Sequence, residues 1–205
     1  MQPFATLTAN VAVLDRSNVD TDQVIPKQFL KRIERTGYGE FLFFDWRRLE
    51  DGSPNPDFEL NAPQYQGAGI LVTGPNFGCG SSREHAVWAI HQHGFQAIVA
   101  PSFAEIFHKN CFENGLCPVL LEEGQVSEIM TRARGQAPEP YSLTIDLENC
   151  HVSDGRGLSL PFVTHQDKMT HDFRRRCLLE GLDEIDLTLQ HEDAILAYEK
   201  VRGIA

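Results

Sequence analysis

The chain has 205 residues, a length that suits one domain and lets it bury about 70% of its unfolded surface. Its apolar content of 41%, with 23% charged residues, is ordinary for a globular protein. A net charge of −11 without any basic tract argues against a nucleic-acid partner, and no apolar run approaches the ~20 residues of a membrane span.

Residues 5–14 alternate enough to predict an opening strand, followed by a turn-rich stretch from Asp15 to Asp22. Asp20 and Asp22 resemble the start of a calcium loop, but Val24 stands where a third oxygen ligand is needed. The pattern then predicts a helix from about Pro26 to Arg35 ending at Gly37, and a long exposed loop over 45–67. Gly69–Thr73 reads as a buried strand and Glu84–His93 as a helix, with Ser81 and Glu84 spaced for a capping box. Gly94 ends that helix, and Gln96–Ala100 is a second strand. Ser102 and Glu105 predict another capping box, opening a helix with Phe103, Ile106, Phe107 and Asn110 at helical spacing. Asn114-Gly115 stops it, and Leu116–Leu121 is a third strand. This β-α-β-α-β unit implies parallel strands with right-handed crossovers. Beyond Gly135 the pattern returns to β: Ser142–Leu147 alternates, and Asp154–Gly157 is a turn before Leu158–Phe162. Two helices close the chain, Gln166–Glu180 stopped by Gly181 and His191–Val201.

The five cysteines, at 79, 111, 117, 150 and 177, include no Cys-x-x-Cys pair, which opposes both a disulfide framework and a self-contained metal site. The start of the sequence has no basic, then apolar, leader pattern, so a cytoplasmic protein with reduced thiols is expected. His85, His91 and His93 form no i, i+4 pair and read as structural or surface residues, His85 being the exception to watch because it adjoins the loop described next. The run Arg174–Arg176 reads as a solvated or ion-paired helix face, with contact to a partner chain as the alternative.

The most informative stretch is Gly74-Pro-Asn-Phe-Gly-Cys-Gly-Ser-Ser-Arg-Glu-His-Ala86, a glycine-rich loop between a strand and a helix. It fails the Walker template, the dinucleotide fingerprint (Arg83 stands at the third glycine) and the esterase elbow. What remains is an anion site where loop amides, a helix N-terminus and a guanidinium converge, with serine at its centre. A simple helix cap explains neither the glycines nor Arg83. Cys79 reads as a small filler of the loop.

Asn76–Ala86 resembles the signature of the aconitase swivelling-domain superfamily, and further stretches agree. These are Asn18–Leu30, Ser102–Phe107 with Asn110–Leu116, and Phe173–Asp183 followed by Leu187–Gln190. As a free-standing chain it resembles the bacterial family of 3-isopropylmalate dehydratase small subunits. The resemblance implies an α/β fold: an aconitase-like swivelling domain with a central β-α-β-α-β unit, flanking strands and a helical C-terminal extension. One domain is expected, with its core at about 5–165 and the extension at about 166–205.

The resemblance further implies a hydro-lyase that moves a hydroxyl between adjacent carbons of a 2-hydroxy dicarboxylate by dehydration and rehydration. That chemistry needs a Lewis acid for the leaving hydroxyl, cations for the carboxylates and a base for the carbon-bound proton. The Lewis acid is implied to be a [4Fe–4S] cluster on a large partner subunit, with no cofactor on this chain. Ser81 is implied as the base; Ser82 and Arg83 as carboxylate ligands; Asp22 at the site's edge; and Leu30 as the apolar contact for an isopropyl group. Lys31, beside Leu30, departs from an apolar wall, and the alternative is that Leu30 packs a helix while Lys31 faces water. A related hydro-lyase acting on homocitrate, citramalate or a methylated citrate, and a non-catalytic anion-binding module, stay open on the sequence alone.

Overall fold

One nine-residue strand organises the molecule. In the structure, a computed structural model that describes residues 1–203, β1 (Thr6–Leu14) changes partners along its length. Its first half, Thr6–Asn10, pairs antiparallel with β5 (Ser142–Asp146), and its second half, Val11–Leu14, pairs parallel with β2 (Ile70–Thr73). From β2 the sheet continues in parallel through β3 (Ala97–Ala100) and β4 (Cys117–Leu120). From β5 it continues antiparallel through β6 (His151–Ser153) and β7 (Ser159–Pro161). The order is therefore β4-β3-β2-β1-β5-β6-β7. The parallel strands are apolar on both faces, as strands covered on two sides must be.

The period of two sorts these strands into two cores. Val11, Val13, Ile70, Val72 and Val99 face one side, where α5 (Glu123–Gly135) lays Val126, Ile129, Met130 and Ala133 against them. Ala12, Leu14, Leu71 and Ile98 face the other, covered by α3 (Glu84–His93) and α4 (Glu105–Glu113) through Val87, Ile90, Phe107 and Cys111. The expected β-α-β-α-β unit is present with parallel strands, and the Asp154 turn joins β6 to β7 through bonds from the Arg156 and Leu158 amides to its carboxylate.

Three segments depart from the sequence reading. The helix expected over 26–35 is only a 3-10 turn, Lys27–Lys31, between extended residues Pro26 and Arg32. Its apolar residues form no stripe: Phe29 stacks on Phe41 at 4.0 Å, while Ile33 stands 95% exposed. The 45–67 loop is not uniformly exposed. It begins within a one-turn helix, α2 (Phe44–Arg47), and then buries Phe58 and Leu60 in the second core, where an Arg16–Glu59 ion pair at 2.8 Å fastens it to the end of β1. Helix α5 was not foreseen, although its apolar residues fall at i, i+3, i+4 and i+7.

At the C-terminus, α6 (Lys168–Glu180) ends on Gly181, whose positive φ permits the turn, and is followed by α7 (Glu184–Leu189) and α8 (Glu192–Arg202). The last two residues of the expected extension lie outside the described residues. The arginine run is engaged within the chain: Arg174 lies over the Phe112 ring, Arg175 donates to the carbonyls of Leu147 and Glu148, and Arg176 approaches Glu180.

Arg174 also reaches His108, which is buried between the rings of Phe103 and His165. Burial first, then the positive Arg174, pushes the His108 pKa down to about 4 from its ordinary 6.5. The unfolded chain therefore takes up this proton before the folded one does, so stability is complete above pH 6.5 and falls as pH drops towards 4. Denaturation of His108→Phe should show a shallower loss over that window, by up to ~3 kcal/mol. A pH dependence identical to the parent's would contradict the assignment.

Candidate active site

The site forms where the C-terminal ends of β1 and β2 deliver two loops side by side. After β1, Asp20 caps the short helix α1 (Thr21–Val24): its carboxylate accepts from the Asp22 amide, and Gln23 accepts from the Asp20 amide in return. After β2, the glycine loop runs against this turn almost as a strand. Gly78 N donates to Val19 O at 2.8 Å, Thr21 N to Cys79 O at 2.9 Å, and the Thr21 hydroxyl to Ser81 O at 2.7 Å. Asn18 and Asn76, both with positive φ, join the two loops through a side-chain bond of 2.8 Å.

Two glycines make this approach possible. Gly78 and Gly80 have φ of 78° and 87°, a region that disfavours any side chain. A Cβ at Gly78 would enter the Phe107 ring, and one at Gly80 would enter the Asp20 carboxylate. The backbone thus threads between α4 and the Asp20 turn and emerges with Ser81 and Ser82 exposed. Neither serine hydroxyl has a hydrogen-bond partner among the described residues.

Both expected capping boxes are absent. The chain remains extended through Arg83 (φ −140°, ψ 107°), which is itself the residue before α3, so Ser81 lies too far back to cap. Thr21 holds the Ser81 carbonyl, and Glu84 instead accepts from Asn114 Nδ2 at 3.0 Å. The first amides of α3 are therefore uncapped by side chains. Ser102 likewise accepts from the Asn76 amide at 2.8 Å rather than capping α4, which starts after Ala104.

Arg83 is mostly buried and forms an ion pair, through Nη1, with Asp22. Its Nε and Nη2 donors have no partner among the described residues, leaving one edge of the fork for an anion. A cleft of about 200 Å³ runs from Ser81, Ser82 and Arg83 across to Ala104, Glu105, Ile106 and Phe107. Of the residues expected at a site, four come together here: Asp22, Ser81, Ser82 and Arg83. Leu30 does not line this cleft; it packs, half-buried, against the second core, while Lys31 is exposed. Sequence reasoning overlooked Thr21, Asp20 and Phe107, which position the loop, and Ile106, an exposed apolar wall of the cleft. His85 packs on Tyr38 and Trp88, and burial lowers its pKa.

The Aconitase C-terminal domain model matches residues 1–124, spanning both loops and α4. A second model, for the C-terminal domain of the 3-isopropylmalate dehydratase small subunit, matches residues 184–202. The 3-isopropylmalate dehydratase small subunit of Rhodopirellula baltica is 56% identical over 204 residues, covering 99% of this chain and all of its own length. That of Brevibacillus brevis is 54% identical over 98% of this chain and all of its own length. The chain belongs to this family. A solved 3-isopropylmalate dehydratase from Methanocaldococcus jannaschii shares the fold, with a TM-score of 0.59 over 95% of this chain and 99% of its own, at 24% identity.

The cysteines do not fit an iron–sulfur cluster. Cys111 and Cys117 are buried in opposite cores and burial raises both thiols, while Cys79 is raised by burial and by Asp20. Among the described residues, no three His, Cys, Asp or Glu side chains are grouped to hold a metal, and no helix is long and apolar enough to cross a membrane.

The threading makes a direct prediction. Gly80→Ala should destabilise the chain by at least ~1–2 kcal/mol, from positive φ and displacement of Asp20. Gly155→Ala, at φ 65° in open space, should cost less. Equal losses in chemical denaturation would show that Asp20 does not press on the loop.

Proposed function

We propose that this chain is the small subunit of a 3-isopropylmalate dehydratase, a hydro-lyase that interconverts 2-isopropylmalate and 3-isopropylmalate through 2-isopropylmaleate in leucine biosynthesis. It works as a cytoplasmic heterodimer, or a higher assembly, with a large subunit, and the whole chain acts as one swivelling unit. Support comes from end-to-end similarity to small subunits of that name, and above all from one local observation. Two unpartnered serine hydroxyls and a tethered arginine line one cleft, with the first turn of α4, uncapped by any side chain, on its far wall.

A [4Fe–4S] cluster, held by the large subunit, would supply the Lewis acidity for the leaving hydroxyl. This chain's own residues hold a carboxylate and move the proton. Arg83 presents its free edge, and Ser82 its hydroxyl, to a substrate carboxylate, while Asp22 fixes the guanidinium from the other side. The local cation matters because the chain's net charge of −11 repels a dianion at long range. Ser81 accepts the carbon-bound proton on its oxygen and returns it in the reverse step. It has no histidine to activate it; Arg83 and the uncapped first turn of α4 across the cleft stabilise its anion. The isopropyl group needs an apolar wall, for which Ile106 in the cleft and Leu30, half-exposed beyond α1, are the available residues.

Anaerobic reconstitution with the large subunit tests these roles. The chain alone should show no turnover. Ser81→Ala should lower kcat by several orders of magnitude while the subunits still assemble, and near-normal turnover would remove Ser81 as the base. Arg83→Lys should chiefly raise KM, because an ammonium cannot copy the planar fork. Leu30→Arg should slow isopropylmalate about tenfold or more, with a smaller loss on citramalate; equal losses would take Leu30 out of substrate selection.

A further inference from the structure

At the opposite edge of the parallel strands, α2 and the C-terminal end of α3 enclose a second polar centre. Arg47 is half-buried there, and its fork is held by neutral acceptors. Nε donates to Asn61 Oδ1 at 3.1 Å and Nη1 to His93 Nε2 at 3.1 Å. His93 is fixed in turn by Nδ1–H donation to Gly39 O at 3.0 Å. Asn61 is fixed by donation from Nδ2 to the carbonyls of Arg47 and Asn55, both at 2.8 Å. The orientation of the guanidinium is thus set before any anion arrives.

What this guanidinium lacks is a counter-charge. Among the described residues no carboxylate lies within ion-pair distance of it; Glu40, which lines the outer of the two cavities beside Arg47, pairs with Arg32, and Arg48 adds a like charge. The chain carries 29 acidic residues against 18 basic ones, so acids are not scarce. A buried charge without a partner is costly, and burial accordingly pulls the Arg47 pKa down.

The space around it fits a ligand. Two adjoining cavities of about 260 Å³ each share Arg47, Pro54, Asn61 and His93. The first runs past Pro54 and Tyr65, in front of the buried Leu42, Leu60 and Phe95, so an anion on the arginine would carry its remaining atoms along the Pro54 and Tyr65 side chains. We propose that this is a second ligand site, which binds a small aliphatic carboxylate with its head group on Arg47 and its alkyl chain against Pro54 and Tyr65. It is separate from the glycine-loop cleft: Arg83 precedes the first residue of α3, and His93 is its last.

Calorimetric titration of 4-methylpentanoate into the full-length chain tests the proposal, with Arg47→Gln, Arg47→Lys and Arg83→Gln as comparisons and inorganic phosphate as the contrasting anion. Saturable binding is expected in the parent and in Arg83→Gln, weakened tenfold or more in Arg47→Gln, and weaker for phosphate because it makes no use of the apolar wall. Should Arg47→Gln fail to fold, Arg47→Lys keeps the charge without the fork and should still bind less tightly. Absence of saturable binding, or binding lost in Arg83→Gln but kept in the Arg47 variants, overturns the site. Equal affinity for phosphate overturns the aliphatic assignment.

Discussion

The whole site depends on a backbone that passes between a carboxylate and an aromatic ring with no room for a side chain. Gly78 lies against Phe107 and Gly80 against Asp20, both with positive φ. This contact exists because β1 and β2 are parallel neighbours, so their C-terminal ends release two loops at the same edge. The Asp20 turn supplies one wall and α4 the other. Ligand sites commonly lie at this edge of a parallel sheet. The glycines therefore do not cradle an anion themselves; they let the loop reach the place where Ser81, Ser82 and Arg83 emerge.

Two consequences run from this constraint to chemistry. Holding the Ser81 carbonyl by Thr21 keeps the chain extended for two more residues, so α3 begins at Glu84 with its first amides uncapped. Holding Arg83 by Asp22 fixes one side of a guanidinium and leaves the other side open. A capped helix and a free arginine would give the same composition without the converging donors. Preorganised donors cost little reorganisation when charge develops, which is what a proton-abstracting serine requires. The antiparallel half of the sheet extends the core through β5, and α6 packs on α4 with Arg174 over the Phe112 ring.

Much of the fold could be read from the amino-acid order. The strands around Gly69–Thr73, Gln96–Ala100 and Leu116–Leu121, and the helix Glu84–His93, are strong local patterns bounded by glycine, and the structure has them within a residue or two. The capping boxes were misread because Thr21 holds the Ser81 carbonyl in a chain that stays extended to Arg83, and the Ser102 hydroxyl accepts from the distant Asn76 amide, neither of which spacing reveals. The helix expected after Pro26 failed because Phe29 found an aromatic partner at Phe41 and no stripe remained to bury. Helix α5 could have been found from Val126, Ile129, Met130 and Ala133, but its polar majority and Gly124 hid the stripe. Four of the five residues expected at the site converge, because each sits in or beside the two loops that the parallel strands bring together. Leu30 lies beyond α1 on a turn whose course is set by the aromatic cluster rather than by the cleft.

The central claim is that the Asp20–Asp22 turn positions the serine–arginine loop. Hydrogen exchange of Thr21→Val, followed peptide by peptide against the parent, measures it most directly. The valine keeps the shape but removes the bond to the Ser81 carbonyl. The account predicts faster exchange confined to the Gly78–Glu84 segment, with β1, β2 and β3 unchanged. Exchange of that segment at the parent's rate would mean that the loop holds its course without the turn, and the account would be wrong.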